Sequence, residues 1–140
     1  MKNDKDVSVI YEKIYTDDVS VHIPELFANK KIAKMNVNRY WENAIDGFYN
    51  YSKCTHYLSC TQGNLRFVIA NDIGSNNYKF NQFFVSAMDG KIIKVPPGNW
   101  FGIHNLYHGP SVLMAAKDID DDDEYDRLSY KIFNWHAKRA

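Results

Sequence analysis

The sequence predicts an all-β fold, a sandwich or barrel of short strands. From Val21 onward, short apolar segments alternate with turns rich in Asn, Gly, Asp and Pro, a pattern typical of such folds. The middle of the chain contains no long stretch with the 3.6-residue period of an amphipathic helix. Aromatic residues make up 15% of the chain, and aromatic side chains favour strands and line ligand cavities.

The strands are predicted from short apolar segments, some alternating with polar residues and some continuous. They cover Lys34–Tyr40, Phe48–Tyr51, His56–Thr61, Leu65–Ala70, Phe80–Ala87, Lys91–Val95, Phe101–Leu106 and Ser111–Ala116. Turns are predicted between them at Gln62–Asn64, Asn71–Asn77, Asp89–Gly90, Pro96–Asn99 and Tyr107–Pro110. Near the N-terminus, Val7, Val9, Tyr11 and Ile14 indicate a short strand or helix.

The chain changes character after Asp118, where an acidic run extends to Asp126. A calcium site would use several carboxylates, but the run lacks the glycine and the distal glutamate of an EF-hand loop. We therefore favour a solvated loop. The residues that follow, Arg127–Trp135, carry apolar side chains and are expected to form a short C-terminal extension.

Composition excludes several classes of function. A chain of 140 residues is expected to form one domain, residues 1–140. The formal net charge is zero, which argues against a nucleic-acid partner because such binding relies on basic residues. No apolar run is long enough to span a membrane, and the charged N-terminus shows no signal peptide. We expect a cytoplasmic protein in which Cys54 and Cys60 are free thiols.

Two stretches have the residue spacing of a pair of motifs known from one family of β-barrels. In the first, Tyr49-Asn-Tyr51 is followed by four residues, His56, six residues and Gly63. In the second, Gly90 is followed by five residues, Pro96-Pro97-Gly98, two residues, Phe101, three residues and Asn105. The chain thus resembles the cupin superfamily, and the resemblance implies a single cupin barrel, a double-stranded β-helix or jelly roll, with a motif-bearing core at about 36–117.

Among cupins, the chain resembles the dTDP-4-dehydrorhamnose 3,5-epimerases and the dTDP-sugar 3,4-ketoisomerases. Asp46-Gly-Phe-Tyr-Asn-Tyr51 stands where that branch tends to have Arg-Gly-x-His-x-His or Arg-Gly-x-His. Val95-Pro-Pro-Gly-Asn-Trp-Phe-Gly-Ile103 resembles its Pro-x-Gly-x-x-His-Gly-Phe. The resemblance covers roughly residues 36–130 and implies a protein that acts on or binds a dTDP-4-keto-6-deoxy sugar.

The positions that bind metal in other cupins hold different residues here. They are Tyr49, Tyr51, His56 and Phe101, which leave a single imidazole where a transition metal needs three or more ligands. We therefore expect no metal and no other cofactor. The resemblance implies a metal-free reaction in which a base removes a proton next to a keto group and a tyrosine returns one.

Both catalytic positions of that branch are altered in this chain. The base falls on Tyr49, whose ordinary pKa near 10 makes it a poor base at neutral pH, and the acid falls near Met114. The remaining candidates are His56 as the base and Tyr49 or Tyr51 as the hydroxyl donor. The competing interpretation is a packed interior in which a tyrosine hydroxyl hydrogen-bonds His56.

Ligand contacts are expected from residues near the second motif and from basic side chains that suit a diphosphate. These candidates are Trp100, Phe101, Asn105, Arg39, Arg66 and Met114. His104 has the opposite strand parity to Phe101, so it is expected to face outward. A homodimer paired through edge strands is also expected. The alternatives are a non-catalytic sugar- or small-ligand-binding cupin and a structural partner in a larger complex.

Overall fold

Antiparallel strands form most of the structure. The computed structural model describes residues 6–11, 15–16, 21–22, 31–120 and 125–136. Its strands are β1 (Ser8–Tyr11), β2 (Tyr15–Thr16), β3 (Val21–His22), β4 (Lys34–Tyr40), β5 (Ile45–Tyr51), β6 (His56–Gln62), β7 (Asn64–Gly74), β8 (Asn77–Ser86), β9 (Lys91–Val95), β10 (Trp100–Asn105), β11 (Ser111–Lys117) and β12 (Tyr125–Arg127). A short 3₁₀ helix follows at Tyr130–Ile132. Ile14 and residues 121–124 of the acidic run lie outside the described residues.

The strands form two five-stranded sheets and one small pair. The first sheet has the order β1-β9-β6-β11-β4, the second has the order β12-β5-β10-β7-β8, and β2 pairs with β3. The prediction of an all-β fold is confirmed. Among the described residues the two sheets are separate layers of a sandwich, without the continuous hydrogen bonding of a closed barrel. No helix in the described part of the chain is long and apolar enough to cross a membrane.

The long hairpin of β7 and β8 differs from the prediction. A turn was expected over Asn71–Asn77, but the strands pair from Asn64↔Ser86 as far as Gly74↔Asn77. The turn is confined to Ser75 and Asn76, whose φ values are 53° and 62°. Two consecutive left-handed residues make a turn whose twist matches that of paired strands, so the strands extend through a polar stretch that resembles a loop in sequence.

The predicted glycine turn between β6 and β7 has a steric reason. Gly63 has φ of 80°, and a Cβ atom there would lie 2.1 Å from the Ser111 hydroxyl oxygen. That hydroxyl hydrogen-bonds Asn64 on both backbone groups, since it accepts from the amide (3.1 Å) and donates to the carbonyl (3.3 Å). Glycine thus allows the chain to turn against the start of β11.

Apolar side chains fill the space between the two sheets. Leu58, Ile93 and Leu113 come from the first sheet, and Phe67 and Ile103 come from the second. All five are at most 3% exposed. Because strand side chains alternate between faces, the same strands also have outward-facing apolar side chains, which other segments must shield from solvent.

The C-terminal segment covers the outer face of the second sheet. Trp135, which is 4% exposed, packs against Phe48 with ring centroids 5.4 Å apart and against Phe133 with centroids 5.0 Å apart. A Cβ atom at Gly102 would lie 2.9 Å from the Trp135 ring, so glycine on β10 lets the indole reach the sheet. The expected C-terminal extension is therefore part of the core.

Substitution of Trp135 tests this cover. Trp135→Ala should lower the free energy of unfolding by about 3–5 kcal/mol, because it opens a cavity against Phe48 and Gly102. Ile73→Ala is the matched control, since Ile73 is 67% exposed, and its effect should stay within about 0.5 kcal/mol. Urea unfolding of both variants measures the difference. Equal effects would contradict a core role for Trp135.

Candidate functional site

A central cavity of ≈ 240 Å³ lies between the two sheets. Strands of both sheets contribute its walls, and most of its polar groups come from β4, β5 and β6. The lining residues are Asn36, Asn38, Tyr40, Asp46, Tyr49, Tyr51, His56, Leu58, Phe101, Ile103, Leu113, Ala115 and Tyr125. The volume suits one sugar ring better than a whole nucleotide sugar, because pockets for drug-sized ligands run from about 300 to 1,000 Å³.

The structure brings together the four residues at the positions that the cupin motifs give to metal ligands. Tyr49, Tyr51, His56 and Phe101 all line the cavity, as their strand positions predict. The Tyr51 and His56 rings are 4.4 Å apart between centroids, and those of His56 and Phe101 are 5.1 Å apart. The Tyr51 and Phe101 rings are stacked, with centroids 6.2 Å apart. These residues form an aromatic wall with one imidazole in it.

His56 is buried beside a cation. Its side chain is 5% exposed, and its backbone pairs across the sheet with that of Lys117, which is 3% exposed. Burial first, and the charge of Lys117 second, lower the pKa of His56 to about 4. The imidazole is therefore neutral at pH 7 and can accept a proton. Its Nδ1 atom is 3.9 Å from the Cys54 sulfur.

Asp46 receives hydrogen bonds from two tyrosines. The Tyr40 hydroxyl donates to Oδ2 at 2.7 Å, and the Tyr49 hydroxyl donates to Oδ1 in a short hydrogen bond. The Asn38 amide donates to the Tyr40 hydroxyl at 3.4 Å. Burial, followed by the carboxylate of Asp46, raises the pKa of Tyr49 to about 12 and that of Tyr40 further. Both tyrosines are therefore protonated donors at neutral pH.

Two cations and a third tyrosine border the same wall. The Lys117 ammonium lies 5.5 Å from the Tyr51 ring centre, and the Arg127 guanidinium carbon lies 5.2 Å from the Tyr49 ring centre. Tyr125 lines the cavity from β12 and is 42% exposed, so it stands where the cavity meets solvent. Arg127 is also exposed on this edge strand, whereas Lys117 is buried.

Two residues of the site, Asp46 and Tyr40, are not among the predicted ones. Strand alternation on β4 is a signal that could have identified Tyr40, which shares a face with Asn36 and Asn38. Alternation on β5 places Asp46 on the face opposite to Tyr49. The register of β5 against β10 shifts between Phe101↔Tyr49 and Ile103↔Asp46, and this bulge turns Asp46 inward.

Three predicted ligand contacts lie on outer faces instead of in the cavity. Trp100 packs with the cluster under the C-terminal segment, and Met114 packs with the cluster outside the first sheet. Arg39 is exposed and alternates with the cavity residues Asn38 and Tyr40. Strand alternation is the reason in each case, since the neighbours of these residues face the interior. The expected placement of all three is corrected.

Arg66, His104 and Asn105 are structural in this arrangement. Arg66 lies beneath the C-terminal segment, with Nη2 2.7 Å from His104 Nδ1 and donating to the Trp135 carbonyl at 2.6 Å. His104 does face away from the cavity, as predicted, but it is 4% exposed because the segment covers it. The Asn105 amide is fully buried and donates to the carbonyls of Tyr40, Trp41 and Gly109. Arg66 and Asn105, both expected to contact the ligand, therefore lie outside the lining of this cavity.

The cavity does not fit a bound transition metal. Within the described ranges, no group of three or more His, Cys, Asp or Glu side chains is placed to hold an ion. His56 is the one imidazole of the cavity wall, and Phe101 beside it has no donor atom. The expectation of a metal-free site stays a prediction that elemental analysis can check.

Comparison of the fold with solved structures identifies its class as a cupin-like β-sandwich. No protein-family model matches the chain, and no curated protein matches it at a significant level. Its structure is similar to a dTDP-4-dehydrorhamnose 3,5-epimerase from Elizabethkingia anophelis NUHP1, with TM-score 0.74 and 16% identity over 96% of this chain and 83% of that one.

Two isomerases have the same fold. A dTDP sugar isomerase from Desulfovibrio desulfuricans G20 matches with TM-score 0.80 and 12% identity, over 95% of this chain and 92% of that chain. A mutant 3,4-ketoisomerase QdtA from Thermoanaerobacterium thermosaccharolyticum, in complex with TDP-4-keto-6-deoxyglucose, matches with TM-score 0.70 and 16% identity, over 90% and 89%. The resemblance inferred from the motifs is confirmed at the level of the fold.

A pH titration tests the environment of His56. The imidazole should titrate near pH 4 in the folded protein and near 6.5 after unfolding, because burial and Lys117 oppose its protonated form. Since the folded pKa is the lower one, its contribution to stability is complete above pH 6.5 and is lost as the pH falls toward 4. NMR of the imidazole ring protons measures the midpoint. A folded midpoint at or above 6.5 would contradict this environment.

Proposed function

We propose that the protein binds a dTDP-linked 4-keto-6-deoxy sugar, with the sugar ring in the central cavity. The observation that carries this proposal is the aromatic wall around His56, in a fold shared with dTDP-sugar epimerases and isomerases. Aromatic rings stack on the apolar faces of a sugar, and Asp46 and the asparagines of β4 supply polar partners. The nucleotide extends beyond the cavity, which has room for little more than the sugar.

We further propose that the bound sugar undergoes metal-free proton transfer at the carbon next to its keto group. His56 takes the proton, and the electrons of the broken C–H bond move to the keto oxygen to form an enolate. The buried ammonium of Lys117, next to His56 in the sheet, favours that negative charge. Return of the proton to carbon completes the reaction.

The tyrosines have different roles in this proposal. The Tyr49 hydroxyl donates to Asp46 and its pKa is raised to about 12, which excludes it as the base at neutral pH. Tyr51 is closer to His56, with the two ring centroids 4.4 Å apart, and it is the hydroxyl donor to the keto oxygen. Tyr49 acts by holding Asp46 in position.

A non-catalytic sugar-binding protein is the second candidate. The observation that favours it is the burial of His56 beside the buried Lys117, which together lower the pKa of His56 to about 4. A base this weak removes a carbon-bound proton slowly. The two candidates share the cavity and the ligand and differ only in proton exchange.

Deuterium exchange distinguishes them. The wild-type protein should catalyse incorporation of solvent deuterium into TDP-4-keto-6-deoxyglucose next to the keto group, followed by NMR in D₂O. His56→Ala should reduce the exchange rate by about 10²–10⁴-fold, the usual contribution of a general base. Tyr49→Phe should lower the rate and leave ligand binding mostly intact, because Tyr40 still holds Asp46 in place. His108→Ala is the control, since His108 is exposed outside the cavity.

If the His56→Ala variant catalyses deuterium exchange at the wild-type rate, the proposed catalytic role of His56 is contradicted. Wild-type protein that binds the ligand without any exchange would establish the second candidate. Wild-type protein that binds neither dTDP nor the sugar nucleotide would contradict both.

We also propose that the protein is a homodimer paired through an edge strand. Strand β4 is an edge of the first sheet, and its outer face exposes Met35 (45%) and Val37 (63%). Trp41 follows directly and is 67% exposed. An edge strand with apolar side chains readily pairs with another strand.

Light scattering at micromolar concentration should therefore give the mass of two chains. Val37→Lys should shift the mass toward one chain, because a charge on an edge strand disfavours pairing. The control is Ile73→Lys, which places the same charge at a 67% exposed position on β7. A single-chain mass for the wild-type protein would contradict the proposal.

A further inference from the structure

The wall of the cavity contains the carboxylate of Asp46, to which two tyrosine hydroxyls donate hydrogen bonds. Asp46 accepts one hydrogen bond at each carboxylate oxygen, from Tyr40 and Tyr49. The bond from Tyr40 joins the two sheets, because Tyr40 belongs to β4 and Asp46 to β5, whereas Tyr49 donates from within β5. The carboxylate is therefore held at a defined place in the wall, facing the space that the sugar would occupy.

A carboxylate held in this way still has acceptor capacity. Its two oxygens offer about four lone-pair positions, and the two tyrosines use one position on each oxygen. An ionised carboxylate accepts hydrogen bonds and donates none, so a ligand group that pairs with it must carry O–H or N–H. A sugar hydroxyl meets this requirement, and a keto oxygen does not.

The cavity also has a carboxylate and a buried cation at different places, one beside β10 and the other where β6 pairs with β11. Asp46 lies beside Ile103 in the strand register, whereas His56 lies beside Lys117 near the other end of the cavity. The Lys117 ammonium is 5.5 Å from the Tyr51 ring centre, so it marks the end with His56 and Tyr51. A carbonyl oxygen that gains negative charge is favoured near Lys117 and disfavoured near Asp46.

We infer that Asp46 selects and orients the sugar, accepting hydrogen bonds from its hydroxyl groups so that the keto group faces His56 and Lys117. This inference rests on the proposed function and adds a specificity-determining residue to it. It assigns the ligand class at this end of the cavity as a sugar with free hydroxyls. A ligand with only acceptor atoms there is excluded by the same charge.

The test compares two probes on one variant. Asp46→Asn keeps the shape of the side chain and removes its charge. Its affinity for TDP-4-keto-6-deoxyglucose should fall about 10- to 100-fold, the effect of losing hydrogen bonds to a charged group. Its affinity for dTDP, which lacks the sugar, should equal or exceed that of the wild type, because a negative charge near the cavity is gone. Calorimetric titration measures both affinities.

Two further variants keep the result interpretable. Asp126→Asn removes the same charge from an exposed position on β12 outside the cavity, and both affinities should be unchanged. Asp46→Glu retains the charge but displaces it by one methylene, so it should show the same selective loss for the sugar nucleotide. It serves as the test if Asp46→Asn fails to fold, which thermal unfolding would reveal.

The outcomes separate the inference from the proposed function. The inference alone would be overturned if the wild type binds both probes and the Asp46→Asn variant retains full affinity for the sugar nucleotide. An equal loss of affinity for dTDP and for the sugar nucleotide would also overturn it, because a purely structural role of Asp46 would weaken the binding of both probes. A wild-type protein that binds neither probe would overturn the proposed function and the inference together.

Discussion

The hydrogen bond between Tyr40 and Asp46 connects the two sheets across the cavity. Tyr40 belongs to the first sheet and Asp46 to the second, and their oxygen atoms are 2.7 Å apart. Tyr49 donates to the same carboxylate from within the second sheet. A buried polar group needs such partners, because an unpaired one costs free energy of about 1–3 kcal/mol. The separation of the sheets at this point, and so the width of the cavity, depends on this shared acceptor.

Aromatic residues at the ligand positions of the cupin motifs limit what the cavity can do. Tyr49, Tyr51 and Phe101 place apolar ring surface around one neutral imidazole. In the proposed reaction, a charged intermediate depends on the protein's own groups. Lys117 is the buried cation beside His56, and Asp46 is the carboxylate at the opposite end.

The fold could be predicted from the sequence because its turns and strands are determined by short local patterns of residues. Gly63, Gly90 and Gly98 all have positive φ in the turns where the spacing of the cupin motifs places glycine. Tyr49 and Phe101 line one cavity as predicted, since they are register partners on the side of the bulge where β5 and β10 still pair residue by residue.

The remaining parts of the site depend on longer-range structure. The bulge in β5 that turns Asp46 inward arises from its register against β10. Gly47 and Gly102 lie at this shift, and a glycine inside a strand is typical of a bulge, but its presence does not predict which neighbouring side chain turns inward. Arg66 and His104 resemble surface residues in sequence, but the C-terminal segment folds back over them and Arg66 hydrogen-bonds its backbone. Trp100 and Met114 face the outer sides of the sheets, because they alternate along their strands with the cavity residues Phe101, Leu113 and Ala115.

A crystal structure of the protein with TDP-4-keto-6-deoxyglucose tests the central claim most directly. We expect the sugar ring between the two sheets, in contact with the Tyr51 and Phe101 rings, with its keto oxygen toward Lys117 and a hydroxyl within hydrogen-bond distance of Asp46. Sugar density outside this cavity, for example in the separate groove lined by Phe83, Pro97 and Asn99, would contradict the account.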